Sequence, residues 1–216
     1  MIWIISGPSS VGKTSFLKSR RIFEITQSSE ETPSIDMKDM KYAMAEYEHA
    51  SEYFLHYDFL RPSTIRLKSL RDKKPSILDR FINAACSGVF NYSKTKLWKQ
   101  IEKDWSYSLD REWLDFAQNG KRKKAIVLAT NRTALGERVK VAAALDQSRW
   151  TAKNPHRGDH FSKRMDKFQY LDLIRIYDLW FQELTRRGID YTLVDSTDSS
   201  YPVIDNVNAL KSMVKV

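Results

Sequence analysis

Residues 2–15 read Ile2-Trp3-Ile4-Ile5-Ser6-Gly7-Pro8-Ser9-Ser10-Val11-Gly12-Lys13-Thr14-Ser15. The apolar run suits a strand covered on both faces, and the Gly-x-x-x-x-Gly-Lys-Thr that follows is the pattern of a phosphate-cradling loop. No other stretch constrains the fold as much, because such a loop needs a buried strand before it and a helix N-terminus after it. Gly7 and Gly12 permit backbone angles that a Cβ disfavours, so successive N–H groups can turn toward one anion where the next helix begins. The Lys13 ammonium is placed to reach terminal phosphates. The Thr14 hydroxyl suits a Mg²⁺ ion whose other ligands are mostly water and phosphate oxygens. Gly7, Pro8, Ser9, Ser10, Val11, Gly12, Lys13, Thr14 and Ser15 form the expected phosphate-holding set, with a helical stretch from Ser15 to Arg21.

The remaining composition narrows the class. A chain of 216 residues with 42% hydrophobic and 29% charged residues is expected to fold as one domain with an inserted substructure. The N-terminal apolar run is too short for a signal peptide, no run approaches membrane-spanning length, and the lone Cys86 allows no internal disulfide. A cytoplasmic protein is expected, with Cys86 as a small packing residue. The net charge of +9, from 36 Lys and Arg against 27 Asp and Glu, favours anionic partners. Nucleotides, phosphorylated metabolites and nucleic acids all qualify, but the surplus is dense only at Lys121-Arg122-Lys123-Lys124, so nucleic acid is the weaker expectation.

Along the chain, strand-like and helix-like stretches alternate. Ile22 to Thr26 reads as a second strand, and residues 36–50 as a helix with Met37, Met40, Met44 and Tyr47 at helical spacing and Asp36 as a possible N-cap. Tyr53 to Leu60 reads as a buried parallel strand with Asp58 near its end, stopped by Arg61-Pro62. From Ser63 to Asn119 Trp98, Ile101, Trp105, Leu109 and Trp113 recur at helical steps, in a segment longer than a usual crossover. Ala125 to Thr130 reads as a strand, Thr133 to Trp150 as a helix, and 151–162 as a polar, basic loop. A long helix over 163–187 is marked by Phe168, Leu171, Ile174, Leu179 and Leu184 and capped by Gly188. Tyr191 to Asp195 is the last strand, Ser196 to Pro202 a loop, and Val203 to Val214 a helix. Strands separated by helices predict a parallel sheet covered on both faces. Ligands then bind at the carboxyl ends of its strands, where Gly7 to Thr14, Asp58, Thr130 and Asp195 should converge.

The motif and this element order resemble the small P-loop kinases, the superfamily of nucleoside monophosphate kinases and related metabolite kinases. The residues that carry the likeness are the loop, the acid-ended strand, Val127-Leu128-Ala129-Thr130, Leu135 with Arg138, the lid-like loop, Tyr170 through Tyr177 to Gly188-Ile189-Asp190-Tyr191, and Val194-Asp195. The resemblance implies a three-layer α/β/α P-loop NTPase fold with a five-stranded parallel sheet, a helical substrate region at about 63–120 and a lid at about 149–164. It further implies an ATP- and Mg²⁺-dependent kinase with Lys13 on the β- and γ-phosphates and Thr14 on the metal. Asp58 would contact the metal through water or act as a base. Phosphoryl transfer asks the protein for alignment and charge neutralisation rather than covalent chemistry, so lid arginines are expected, Arg149 and Arg157 first, with Arg138 and Arg164 nearby. On the acceptor side stand Arg61 and Asp36, where several metabolite kinases place an acid that binds or deprotonates a hydroxyl; helix capping explains Asp36 equally.

The stretch His56-Tyr57-Asp58-Phe59-Leu60-Arg61-Pro62 lacks the glycine-containing acid motif of adenylate kinases, and the loop's surroundings are only loosely like those of guanylate kinases, which tilts the expected small-molecule acceptor, a hydroxyl or phosphate, away from a nucleotide. Two other functions fit the same residues: a nucleotide-binding regulatory ATPase acting through a partner, and a polynucleotide end kinase. His156 and His160 have helical metal-ligand spacing but no companion cysteine or second pair, so surface polarity is the expectation for both.

Overall fold

The structure is a computed structural model, and it describes residues 1–36, 52–58, 122–153 and 173–215. The chain groups into two compact units, one of residues 1–59, 117–135 and 174–216, the other of 60–116 and 136–173. The expected helix over 36–50, the helical region 63–120 and residues 154–164 of the lid fall outside the described residues, apart from Asp36. So do Arg61, Cys86, His156, Arg157, His160 and Arg164.

The first unit is an α/β arrangement around one sheet. Its strands are β1 (Ile2–Gly7), β2 (Ser34–Asp36), β3 (Tyr53–Asp58), β4 (Lys123–Ala129), β5 (Asp190–Asp195) and β6 (Val203–Ile204), in the order β2-β3-β1-β4-β5-β6. The first five run parallel, and β6 pairs antiparallel with β5. The sheet is thus mixed at one edge, where an all-parallel sheet of five strands was expected. Val203 belongs to that edge strand, and the last helix, expected from Val203, starts only at Val207. β1 lies at the centre, and all six of its residues are buried.

Five helices are described: α1 (Lys13–Leu17), α2 (Arg20–Thr26), α3 (Arg132–Lys153), α4 (Leu173–Arg186) and α5 (Val207–Lys215). The segment read as a second strand, Ile22 to Thr26, is helix α2. Its apparent alternation also fits a helical face, and Ile22 and Thr26, one turn apart, are the two buried positions. Extended backbone at Ser19 separates α2 from α1, so the single helix expected over 15–21 is two short ones. The second strand instead falls at Ser34–Asp36, after the polar loop.

Register places helices on opposite faces of the sheet. Trp3 and Phe54 are partners across β1 and β3, and Phe23 of α2 packs edge-on against Phe54 with centroids 6.0 Å apart. Ser6 lies on the other face of β1 by the twofold alternation of a strand, and there the Trp180 indole of α4 donates to the Ser6 hydroxyl at 2.9 Å. α4 buries Leu173, Tyr177, Trp180, Phe181 and Leu184, one stripe at helical spacing. This stripe is rotated from the expected one, since Ile174 and Leu179 are only half-buried. Gly188 closes the helix in a left-handed turn, its N–H donating to Thr185 O and that of Ile189 to Leu184 O. The nearly buried Glu183 carboxylate accepts from Arg186 at 2.8 Å and from Arg187 at 3.1 Å.

Of the second unit, the described residues include the later part of α3, where Val139 and Ala143 are buried and Val141 and Leu145 exposed. α3 runs from Arg132 to Lys153, beyond the expected bounds of Thr133 to Trp150 at both ends. Residues 149–153, expected to open the lid, are therefore helix.

One consequence of the α4 packing is measurable. The Tyr177 hydroxyl donates to Leu128 O at 2.8 Å inside the core, and burial pushes the phenol well above its ordinary value of 10.0. The unfolded chain loses this proton near pH 10 and the folded chain keeps it, so its contribution is whole below pH 10 and is lost as pH rises further. The expected slope is about 1.4 kcal/mol per pH unit. Denaturant unfolding from pH 9 to 11 is expected to show this alkaline limb, and Tyr177→Phe to flatten it by one proton's worth.

Candidate phosphate-binding site

The loop from Gly7 to Thr14 leaves the carboxyl end of the central strand and enters α1. Three of its residues have positive φ: Gly7 at 155°, Ser10 at 67° and Gly12 at 107°. The space at Gly7 is as restricted as its backbone. A Cβ there would stand 2.8 Å from Val11 Cγ1 and 2.9 Å from Leu128 O. Gly12 is the N-cap of α1 in a left-handed conformation, and its carbonyl accepts the Phe16 N–H at 2.9 Å. The glycines at the two ends of the motif are thus required by backbone geometry.

Lys13 is buried, with a relative exposure of 5%. Its ammonium donates to Gly7 O at 2.9 Å and to Pro8 O at 2.7 Å, which curls the side chain back over the loop. Burying a cation is costly unless it is well compensated. Two carbonyl dipoles supply part of that compensation, and a phosphate in the loop would add a full negative charge where water screens poorly. Thr14 and Ser15 are exposed in the first turn of α1.

The strand order shows why the loop lies where a ligand can enter. The connection leaving β1 runs to β2 on one side of the sheet, whereas that leaving β4 runs to β5 on the other. In open α/β sheets ligands bind at the carboxyl ends of the strands where such connections diverge, and here that switch lies between β1 and β4. Asp58 ends β3 as the register partner of Gly7, and Asp195 ends β5 as the partner of Ala129. The loop, Asp58, Thr130 and Asp195 therefore share one edge, as expected. Asp36, expected just past the second strand, is the last residue of β2 and partners His56, short of the Gly7–Asp58 level. Arg138 and Arg149 both lie in α3.

That edge of the sheet is knit by hydroxyls, of which the sequence singled out only Thr130. The Thr130 and Thr197 hydroxyls lie 3.2 Å apart, Asn131 N donates to Thr197 Oγ1 at 3.4 Å, and Thr197 N donates to Asp195 Oδ1 at 2.7 Å. Asn131 caps α3, its side-chain oxygen accepting from Ala134 N at 2.7 Å. Ser196 is buried, and its hydroxyl lies 2.6 Å from Val11 O and 3.0 Å from Ala129 O. Tyr201 is buried with its ring 5.0 Å from that of Phe16. A Ser-Thr-rich stretch after a strand is ordinary loop composition, so nothing in the sequence distinguished Ser196 and Thr197.

Among the described residues no three of His, Cys, Asp and Glu come together as a metal-binding group. No helix there is long and apolar enough to cross a membrane. Comparison with protein families and with curated proteins returned no match.

Proposed function

We propose that this chain is an ATP-dependent phosphotransferase of the small P-loop kinase type, with a three-layer α/β/α architecture, that moves the γ-phosphoryl group to a hydroxyl or phosphate of a small molecule. The observation that carries the reading is the loop itself. Gly-x-x-x-x-Gly-Lys-Thr sits between the carboxyl end of the central parallel strand and a helix N-terminus, with the Lys13 ammonium folded over it. The buried strand before the loop and the helix after it give this loop the setting that the motif requires.

In this reading the loop N–H groups and Lys13 hold and orient the phosphates, and Thr14, exposed in the first turn of α1, is the protein ligand to Mg²⁺. A single hydroxyl suffices for an ion that takes most of its ligands from phosphate and water, so the donor set present fits it. Bound there, the ion would supply neutralisation of charge on the phosphoryl group. Asp58, at the level of Gly7, is the acid for the metal's water shell or for the acceptor's proton. Arg149 and Arg157 are the proposed phosphate clamps, and Asp36 and Arg61 the acceptor-side residues.

The test is transfer from γ-labelled ATP with Mg²⁺ to a panel of nucleosides, nucleotides, sugars, sugar phosphates and short oligonucleotides, with hydrolysis measured alongside. A labelled small-molecule product that is lost in Asp58→Asn is the expected result. A labelled oligonucleotide would make it an end kinase instead. Hydrolysis alone, or binding without turnover, would overturn the transferase and point to a regulatory ATPase.

A further inference from the structure

Buried Ser196, the first residue after β5, has its N–H on Ala129 O at 2.7 Å, and its hydroxyl reaches Ala129 O and Val11 O. Val11 is the residue before Gly12, far away in sequence but fully buried at the top of the phosphate-binding loop. A hydroxyl has one proton to donate, and the 2.6 Å separation makes Val11 O its closer acceptor. The contact therefore ties the loop to the paired ends of β4 and β5, where Leu128, Ala129 and Val194 are buried.

The peptide joining Val11 to Gly12 is planar and trans, so its C=O and N–H point to opposite sides. A hydrogen bond that holds the Val11 carbonyl toward Ser196 also turns the Gly12 N–H away from the β4–β5 edge. Gly12, at φ 107°, lies in a region where glycine alone moves freely, and the peptide before it needs an external restraint to keep one orientation.

We propose that Ser196 is a positioning residue for nucleotide binding: its hydroxyl locks the Val11–Gly12 peptide so that the Gly12 N–H faces the phosphate before any ligand arrives. The inference rests on the phosphate-binding reading of the loop and adds to it a residue from the other end of the chain. Loss of the hydroxyl removes this restraint, and the binding energy must then also pay for ordering the peptide.

The experiment measures ATP affinity with Mg²⁺ by calorimetry, hydrogen exchange at the Gly12 amide, and thermal unfolding, for the wild-type chain, Ser196→Ala, Ser196→Thr and Glu183→Gln. The last variant removes the charge of the nearly buried Glu183 carboxylate, which holds Arg186 and Arg187 at the end of α4, and serves as a destabilised control. The expected result is about tenfold weaker binding in Ser196→Ala, the worth of one hydrogen bond to a charged group. Faster Gly12 exchange in the absence of ATP should accompany it. Ser196→Thr should recover both, and Glu183→Gln should lower the unfolding midpoint with affinity unchanged. Wild-type affinity and exchange in Ser196→Ala would overturn the proposal while leaving the loop's function standing. So would an equal loss of affinity in Glu183→Gln, because stability alone would then explain it. A wild-type chain that binds no ATP would overturn both this inference and the phosphotransferase reading.

Discussion

Lys13→Ala is expected to abolish phosphotransfer while leaving a folded chain. The Lys13 ammonium is buried over the loop on two carbonyl oxygens, and alanine removes the one cation that the loop sequence supplies. A hydrogen bond to a charged group is worth about 1.5–3 kcal/mol, so ATP affinity should fall by about 10- to 100-fold. Turnover should fall further, by a factor on the order of 10³, because charge on the moving phosphoryl group is greatest at the transition state. Calorimetry with Mg²⁺ and ATP checks the first number and labelled transfer the second. The fold should tolerate the change, since the Gly7 and Pro8 carbonyls lie on a loop that water can reach once the long side chain is gone. Unchanged affinity in a folded Lys13→Ala protein would remove the phosphate-binding assignment.

Gly7→Ala is expected to cost both stability and binding. The new Cβ would meet Leu128 O at 2.9 Å and Val11 Cγ1 at 2.8 Å, on a backbone with φ +155°. The side-chain atom can shift, but Leu128 O belongs to β4 and also accepts the Tyr177 hydroxyl at 2.8 Å. Strain and overpacking together should destabilise the chain by about 2–5 kcal/mol, which lowers the unfolding midpoint by about 5–15 °C for a domain of this size. Gly188→Ala separates the two causes. Gly188 has φ +63° but nothing within 4 Å of its added Cβ, so only left-handed strain applies there, about 1–2 kcal/mol. Equal midpoints for the two variants would show that crowding at Leu128 O contributes nothing.

Strong local signals were legible in the sequence. The apolar run before Gly7, the runs around Leu55, Val127 and Leu193, and the Gly188 stop each depend on neighbouring residues, and the structure places strands and a helix end there. The short stretch Ile22 to Thr26 misled, because five residues cannot separate a period of two from one of three to four. Its helical state follows from Ile22 and Thr26 turning the same way into the core. The antiparallel β6 was hidden for a related reason: a two-residue strand has no periodicity to read, and it exists through pairing with Leu193 and Val194.

The candidate site divides along the same line. That a loop of the phosphate-cradling pattern follows the first strand is written in consecutive residues, since Gly7, Gly12, Lys13 and Thr14 are local requirements of backbone shape and charge. What surrounds that loop was decided by the order of the strands. Pairing β1 with both β3 and β4 sets Asp58 beside Gly7, and pairing β4 with β5 brings Ser196 to Val11 across most of the chain. Such contacts join residues whose sequence neighbours carry no trace of one another. The motif could therefore be read from local chemistry, whereas the hydroxyl that holds its peptide in place came only from packing strands side by side.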